Sequence, residues 1–283
     1  MTQPVHAPLA SPASGALPAP TAAIETMGLT RRFGDLVAVD HLDLVIRRGT
    51  IYGLLGPNGA GKSTTIKMLT TLIAPSSGSA RVAGHDIIRD PTGVRRRIGY
   101  VSQLLSTDGA LTGYENLMLS ARLYSVPRDE RRARIEDALA AMGLSEVAHH
   151  VVNTYSGGMV RRLELAQATL HRPAVVILDE PTIGLDPIAR RGVWDRLRET
   201  RRGGEVTVLL TTHDMEEADA LCDEVALIAQ GRIAARGAPA ALKQDIGPNA
   251  TLDDVFTRFG SEPEAGGSYR DIRSTRRTAE RLG

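Results

Sequence analysis

Residues 56–64 read GPNGAGKST, and Gly56, Pro57, Asn58, Gly59, Ala60, Gly61, Lys62 and Ser63 match G-x-x-x-x-G-K-[ST] at every fixed position. No other stretch of the chain restricts the fold as strongly. Such a loop works only where a buried strand runs into it and a helix leaves it. The apolar run TIYGLLG precedes it and STTIKMLTTL follows it. Glycine lets the backbone wrap so that successive N–H groups converge on a β-phosphate. The helix starting near Lys62 adds its positive dipole end. Lys62 can reach β- and γ-phosphates, and the Ser63 hydroxyl can ligate Mg²⁺. The stretch from Gly56 to Thr64 is therefore read as a nucleotide-binding site, and by itself leaves open which P-loop class it serves.

Short apolar segments (RIGYVSQ, AVVILDE, VTVLLTT) alternate with helical stretches after this loop. That alternation predicts an α/β fold, a P-loop NTPase core built on a mainly parallel sheet. Before it, Leu42, Leu44 and Ile46 alternate as one face of a strand, giving an antiparallel β subdomain at the N-terminal side. The block from about 104 to 172 lacks strand-like runs and reads as an inserted α-helical subdomain. EVALIAQGRIAARG reads as a hairpin turning at Gln230-Gly231. Residues 1–22, rich in Pro and Ala, read as a disordered leader. The main domain then spans 23–245, and 246–283 form a C-terminal extension ending in the basic tail YRDIRSTRRTAERLG.

AVVILDEP places Asp179 and Glu180 at the carboxyl end of a strand. Asp179 can hold the shell of a Mg²⁺ ion. Glu180, one residue on, points differently and can polarise a water attacking a γ-phosphate. A second glycine pair raises a separate question. Ser156-Gly157-Gly158 opens a helix whose apolar positions are Met159, Leu163, Ala166 and Leu170. Ser156 is a good N-cap, and the glycines leave the first N–H groups open to a phosphate. This loop belongs to the helical insertion and the P-loop to the sheet, so one chain does not easily aim both at one ATP. In a two-fold dimer each loop can serve the partner's nucleotide.

Taken in order, GPNGAGKST, YSGGM, VVILDEP, GLD and TTH resemble the motif set of ABC ATPase nucleotide-binding domains, over about Ile24 to Lys243. Tyr155 stands where leucine is commonest in that family, and Met159 where glutamine is. The resemblance implies further roles. Phe33 matches the aromatic that stacks on adenine. Gln103 matches the glutamine that reaches Mg²⁺ and the attacking water, and it opens the insertion. Asp186 matches the loop that crosses the dimer interface, and His213 the histidine that contacts the γ-phosphate. ENLMLSARLYSVP, THDMEEADALCDEVALIAQGRI and TLDDVF are similar to segments of the daunorubicin-resistance type of drug-export ATPase, as is the basic tail. The resemblance implies ATP and Mg²⁺ as ligands and a second copy of the chain as partner. It also implies a separately encoded polytopic permease and a peripheral place on the cytoplasmic side of the membrane.

Charge is nearly balanced at +1, and only three of 34 basic side chains are lysines. Scattered arginine pairs such as Arg161-Arg162 and Arg190-Arg191 read as composition bias, and no nucleic-acid partner is expected. The single cysteine, Cys222, excludes an internal disulfide and reads as a packing residue in the helix MEEADALCDEV. No apolar run reaches the roughly 18 residues of a membrane span. Export of a drug or other hydrophobic compound is the leading expectation. A soluble ABC ATPase acting on ribosomes or DNA is the alternative, which the single ATPase domain and missing heptads disfavour.

Overall fold

The structure, a computed structural model, describes residues 22–104, 106–201 and 206–260. The expected leader up to 21 and the basic tail lie outside these residues. Strand β1 (Ala22–Phe33) begins at the last position assigned to that leader and pairs antiparallel with β2 (Leu36–Arg47). Leu42, Leu44 and Ile46 alternate inward on β2 as their spacing requires.

Strand β3 (Ile51–Leu55), buried at every residue, leads through the glycine-rich loop into helix α1 (Lys62–Leu69). Strands β4 (Ser77–Val82) and β5 (His85–Asp86) then complete a four-stranded antiparallel sheet, ordered β2-β1-β4-β5. Helix α2 (Pro91–Arg97) is capped by Asp90 and leads to β6 (Ile98–Val101).

The helical insertion follows as α3 (Gly113–Leu123), α4 (Arg131–Ala141) and α5 (Gly157–Thr169), and no strand is described between β6 and residue 174. Thr112 and Glu115 close a reciprocal capping box on α3, which fixes where the helix starts. The core resumes with β7 (Val175–Asp179), α6 (Pro187–Arg201), β8 (Thr207–Thr212), α7 (Met215–Leu221), β9 (Glu224–Ala229) and β10 (Arg232–Gly237). Helices α8 (Pro239–Gln244) and α9 (Leu252–Gly260) end the described chain.

The central sheet is ordered β10-β9-β3-β8-β7-β6 and is parallel except for the last hairpin. Its two faces divide the core. Val175 and Ile177 join Leu54 and Leu209 against α1, α2 and the antiparallel sheet. Val176 and Leu178 join Leu55 and Leu210 against the helices of the insertion and the C-terminal half. A strand apolar at every position is thereby used on both faces.

The hairpin turns at Gln230 and Gly231, both with positive φ (49° and 79°), the signature of a primed two-residue turn. Two expectations shift. Cys222 is not inside a helix but ends α7 in extended conformation, buried, and burial raises its thiol well above the usual range. The chain also stays in the fold past 245. Leu252 and Val255 of α9 are fully packed into the core, so the described part of the expected extension is structural.

Candidate nucleotide site

Strands β3, β8 and β7 lie side by side and point the same way, so their carboxyl ends deliver the glycine-rich loop, Thr212-His213 and Asp179-Glu180 to one edge. In open α/β sheets that edge is where ligands bind. A cavity of about 310 Å³ opens there, lined by Phe33, Pro57, Asn58, Gly59, Gly61, Lys62, Ser63, Thr64, Gln103 and Glu180 among others. Gly56 and Ala60 complete the loop behind it and are buried.

The loop's shape has visible causes. Gly61 sits at φ 107°, and an added Cβ would overlap the Ala38 carbonyl of β2. The β9–β10 turn braces the loop from outside, since Gly231 N–H donates to the Ala60 carbonyl at 3.0 Å. Asp40 N–H in turn donates to the Gly231 carbonyl at 2.9 Å. Both sheets therefore hold the phosphate loop.

Charges converge inside it. Lys62 is 5% exposed, and its Nζ donates to the Gly56 carbonyl at 2.7 Å and to the Pro57 carbonyl at 3.2 Å. Its Nζ also stands 3.4 Å from Glu180 Oε1. Glu180 Oε2 is bonded to His213 Nδ1 at 2.8 Å. Glu180 itself has φ 53°, left-handed backbone that costs a side-chain-bearing residue energy and is held here by Thr211. The Thr211 carbonyl (3.2 Å) and hydroxyl (3.0 Å) both accept from the Glu180 N–H. The same hydroxyl donates to Asp179 Oδ1 at 2.6 Å, which also accepts from Ser63 Oγ at 3.2 Å.

Side chains Ser63 and Asp179 thus present adjacent oxygens, and Gln103 lines the same cavity as Ser63. Oxygen donors of this kind suit Mg²⁺, which takes few protein ligands and completes its shell with phosphate and water. Among the described residues no cluster of three His, Cys, Asp or Glu could form an all-protein cage. Gln103 lies just past β6 rather than within it, since that strand ends at Val101.

Phe33 stands beside the cavity, 46% exposed, with the Arg31 guanidinium 4.5 Å from its ring centroid. Its face is available to a planar ligand group on one side only.

Ser156, Gly157, Gly158 and Asp186 do not line this cavity. Ser156 caps α5, accepting from Met159 N–H at 3.3 Å, and Ser156 and Gly157 are exposed. Gly158 packs so closely on Ala189 that a Cβ would come within 2.8 Å of that side chain. Asp186 accepts from the N–H groups of Ile188 and Ala189, both at 2.9 Å, and so caps α6. The glycine pair and the Asp186 turn therefore form one packed unit apart from the phosphate loop. Tyr155 is explained as well. Its hydroxyl donates to the Val147 carbonyl at 2.7 Å, which anchors the loop before Ser156, and Val160 is a core residue.

Several buried charges were not foreseen. Arg161, read from the sequence only as composition bias, is 4% exposed and pairs with Glu164 (1%). Glu217 is 1% exposed, and its Oε1 accepts from Thr182 Oγ1 at 2.8 Å and Trp194 Nε1 at 3.0 Å. Burial raises its carboxyl above the usual range. Arg190 binds Asp214, next to His213, at 2.6 Å. The spacing of Arg161 and Glu164, three apart on a helix, was the one signal in the sequence, and it does not distinguish a surface pair from a buried one.

A parallel sheet with a glycine-rich phosphate loop, an acidic pair and a histidine at its carboxyl edge defines an ATP-binding P-loop domain. The ABC transporter family profile matches residues 39–183. The chain is 47% identical over 246 residues to the daunorubicin/doxorubicin resistance ATP-binding protein DrrA of Streptomyces peucetius, covering 86% of this chain and 74% of that protein. Among solved structures, an ATP-binding subunit of an ABC transporter superposes with TM-score 0.76 at 28% identity, over 84% of this chain and all of that one. A dimeric ATP-binding cassette in a post-hydrolysis state with ADP and Pi gives TM-score 0.68 at 25% identity, over 76% and 98%. The chain belongs to the ABC transporter family, as an ATP-binding and ATP-hydrolysing subunit.

Proposed function

We propose that this chain is the motor of an exporter. Two copies close over two Mg-ATP and open after hydrolysis, driving a separately encoded membrane permease that moves a drug or similar hydrophobic compound. One observation carries the reading. The cavity is lined by most of the phosphate loop together with Gln103 and Glu180, while the exposed Ser156-Gly157 helix start stays outside it. A helix N-terminus open to anions needs a phosphate from elsewhere, and a second copy supplies one. The similarity to a cassette solved as a dimer with ADP and Pi supports this.

Roles follow from position. Lys62 exchanges its loop carbonyls for β- and γ-phosphate oxygens, and the loop's N–H groups surround the β-phosphate. Phe33 stacks on the adenine. Ser63, Asp179 and Gln103 would hold Mg²⁺, which neutralises charge on the phosphate oxygens. Glu180 accepts a proton from the attacking water, and His213 fixes the carboxylate that does so. Ser156, Gly157 and Gly158 bind the partner's γ-phosphate, and Asp186 sets the turn beside them.

No helix among the described residues is long and apolar enough to cross a membrane. The motor would thus reach the cytoplasmic face of the membrane through its permease, and drug-resistance relatives favour export over the ribosome- or DNA-directed alternative. The test is a pull-down of tagged Glu180→Gln protein from its host in Mg-ATP. A polytopic membrane protein in the eluate is expected. Ribosomes or DNA without one would reassign the task.

A further inference from the structure

Two charged side chains of α5 are buried outside the cavity. Arg161 Nη1 meets Glu164 Oε2 at 2.9 Å, one helical turn away. Each then bonds the segment that carries Gln103. Arg161 Nη1 donates to the Ser102 carbonyl at 2.9 Å. Glu164 Oε1 accepts from the Ser106 N–H at 2.6 Å and from its hydroxyl at 3.1 Å. Ser102 and Ser106 stand on either side of Gln103. Arg161 Nη2 also donates to the Glu180 carbonyl, at 3.4 Å.

Stability alone does not account for this pair, because apolar side chains of like volume fill such a space without desolvating two charges. Apolar side chains cannot bond the backbone of two catalytic loops at once. The planar guanidinium can, with donors in a fixed fork. Helix α5 is 13 residues long and is capped by Ser156. Arg161 and Glu164 lie within about the first two turns after that cap, so a shift of the helix as a unit would carry both with it.

We propose that Arg161 and Glu164 are positioning residues for Gln103 and Glu180, passing the position of the Ser156–Gly158 loop to the hydrolytic side of the same chain. The second half rests on the reading of that loop as the one that closes on a partner's ATP. In such a dimer each chain would register, through its own α5, that the partner's nucleotide is in place, and would align its own Gln103 and Glu180 in response.

The test compares the native chain with R161K and with the double variant R161Q/E164Q, which removes both charges together and strands neither. Amide hydrogen exchange is followed over 102–106 and over the rest of the chain. ATP turnover gives kcat and KM, and the same substitutions in a Glu180→Gln chain report ATP-driven dimerisation.

In R161Q/E164Q, exchange over 102–106 should rise by at least about tenfold with the rest of the chain unchanged. Its kcat should fall about 10–100-fold while KM stays within about twofold. R161K should lie between, since a point-charge ammonium cannot serve Ser102, Glu164 and Glu180 together. A folded double variant with native kcat, or with native exchange over 102–106, overturns the proposal. If the double variant does not fold, native kcat and exchange in R161K overturn it instead. Failure of the Glu180→Gln chain, with the pair intact, to dimerise on ATP refutes the partner-facing reading. Exchange and kcat still decide the positioning of Gln103 in that case.

Discussion

Removing Lys62 should destabilise the protein even in nucleotide-free buffer, and removing Glu180 as well should restore part of the loss. The two charges stand 3.4 Å apart with side chains only 5% and 8% exposed. At that separation the attraction is about 5 kcal/mol for an effective dielectric of about 20 and about 1 kcal/mol in bulk water. The pair forms the wall of an open cavity and lies between those limits, so a coupling of about 2 kcal/mol is expected. Lys62→Ala alone leaves the Glu180 carboxylate buried with His213 as its remaining partner, a loss of about 2–4 kcal/mol. Glu180→Gln keeps a hydrogen-bonding side chain and should cost about 1 kcal/mol. Urea unfolding of the four proteins gives the cycle directly. A coupling below about 0.5 kcal/mol would show that the two charges are screened from each other, and the account of the cavity as a partly dry, charge-focused site would be wrong.

Two further effects are expected. His171 is held by stacking on Tyr124 (ring centroids 3.8 Å apart) and by Nε2–H donation to the Ile98 carbonyl at 2.9 Å, and its Nδ1 is buried without a partner. Burial lowers its pKa below the ordinary 6.5, so the unfolded chain takes up the proton first. The stability this residue contributes is full above pH 6.5 and is lost as pH falls through the lowered value. His171→Gln should flatten melting temperature against pH in that window, and an unchanged profile would contradict the assignment. Glu217→Ala strands the Trp194 N–H and the Thr182 hydroxyl and should cost about 2–3 kcal/mol in urea unfolding, with Glu217→Gln recovering most of it. Equal stability of both variants with the native chain would remove Glu217 as the link between α6 and α7.

The sequence showed most plainly those features whose signals are local. Val175 to Leu178 and Val208 to Leu210 read as core strands because a strand buried on both faces keeps an unbroken apolar run. Ser156 and Gln230-Gly231 were readable because a cap and a primed turn each demand particular residues. Strand β1 was harder. Its pairing shifts register between Thr26 and Leu29 and again before Arg31, so no simple alternation survives in AAIETMGLTRRF. The burial of the charged residues was not legible, even where the spacing of Arg161 and Glu164 allowed a pair. Arg161, Glu164 and Glu217 look like any solvated helix residue until tertiary packing encloses them, and their partners lie 19 to 59 residues away. The same holds for the packing of α9, whose burial depends on strands and helices that precede it.

If each ATP is completed by the Ser156–Gly158 loop of another chain, two variants that are inactive alone should restore activity when mixed. Gly157→Asp places a carboxylate where a phosphate would approach. It folds without conflict, because the nearest atom to a Cβ there is Leu185 Cδ2 at 3.6 Å. Glu180→Gln lacks the base. Each alone should hydrolyse ATP hardly at all. In an equimolar mixture half the dimers are mixed, and each has one site with a native Glu180 facing a native loop, so turnover should return, to at most about a quarter of native. It falls below that limit by whatever alignment of Gln103 and Glu180 the Gly157→Asp loop of the same chain no longer supplies. A mixture that forms dimers yet stays as inactive as its components would show that no site is shared between chains.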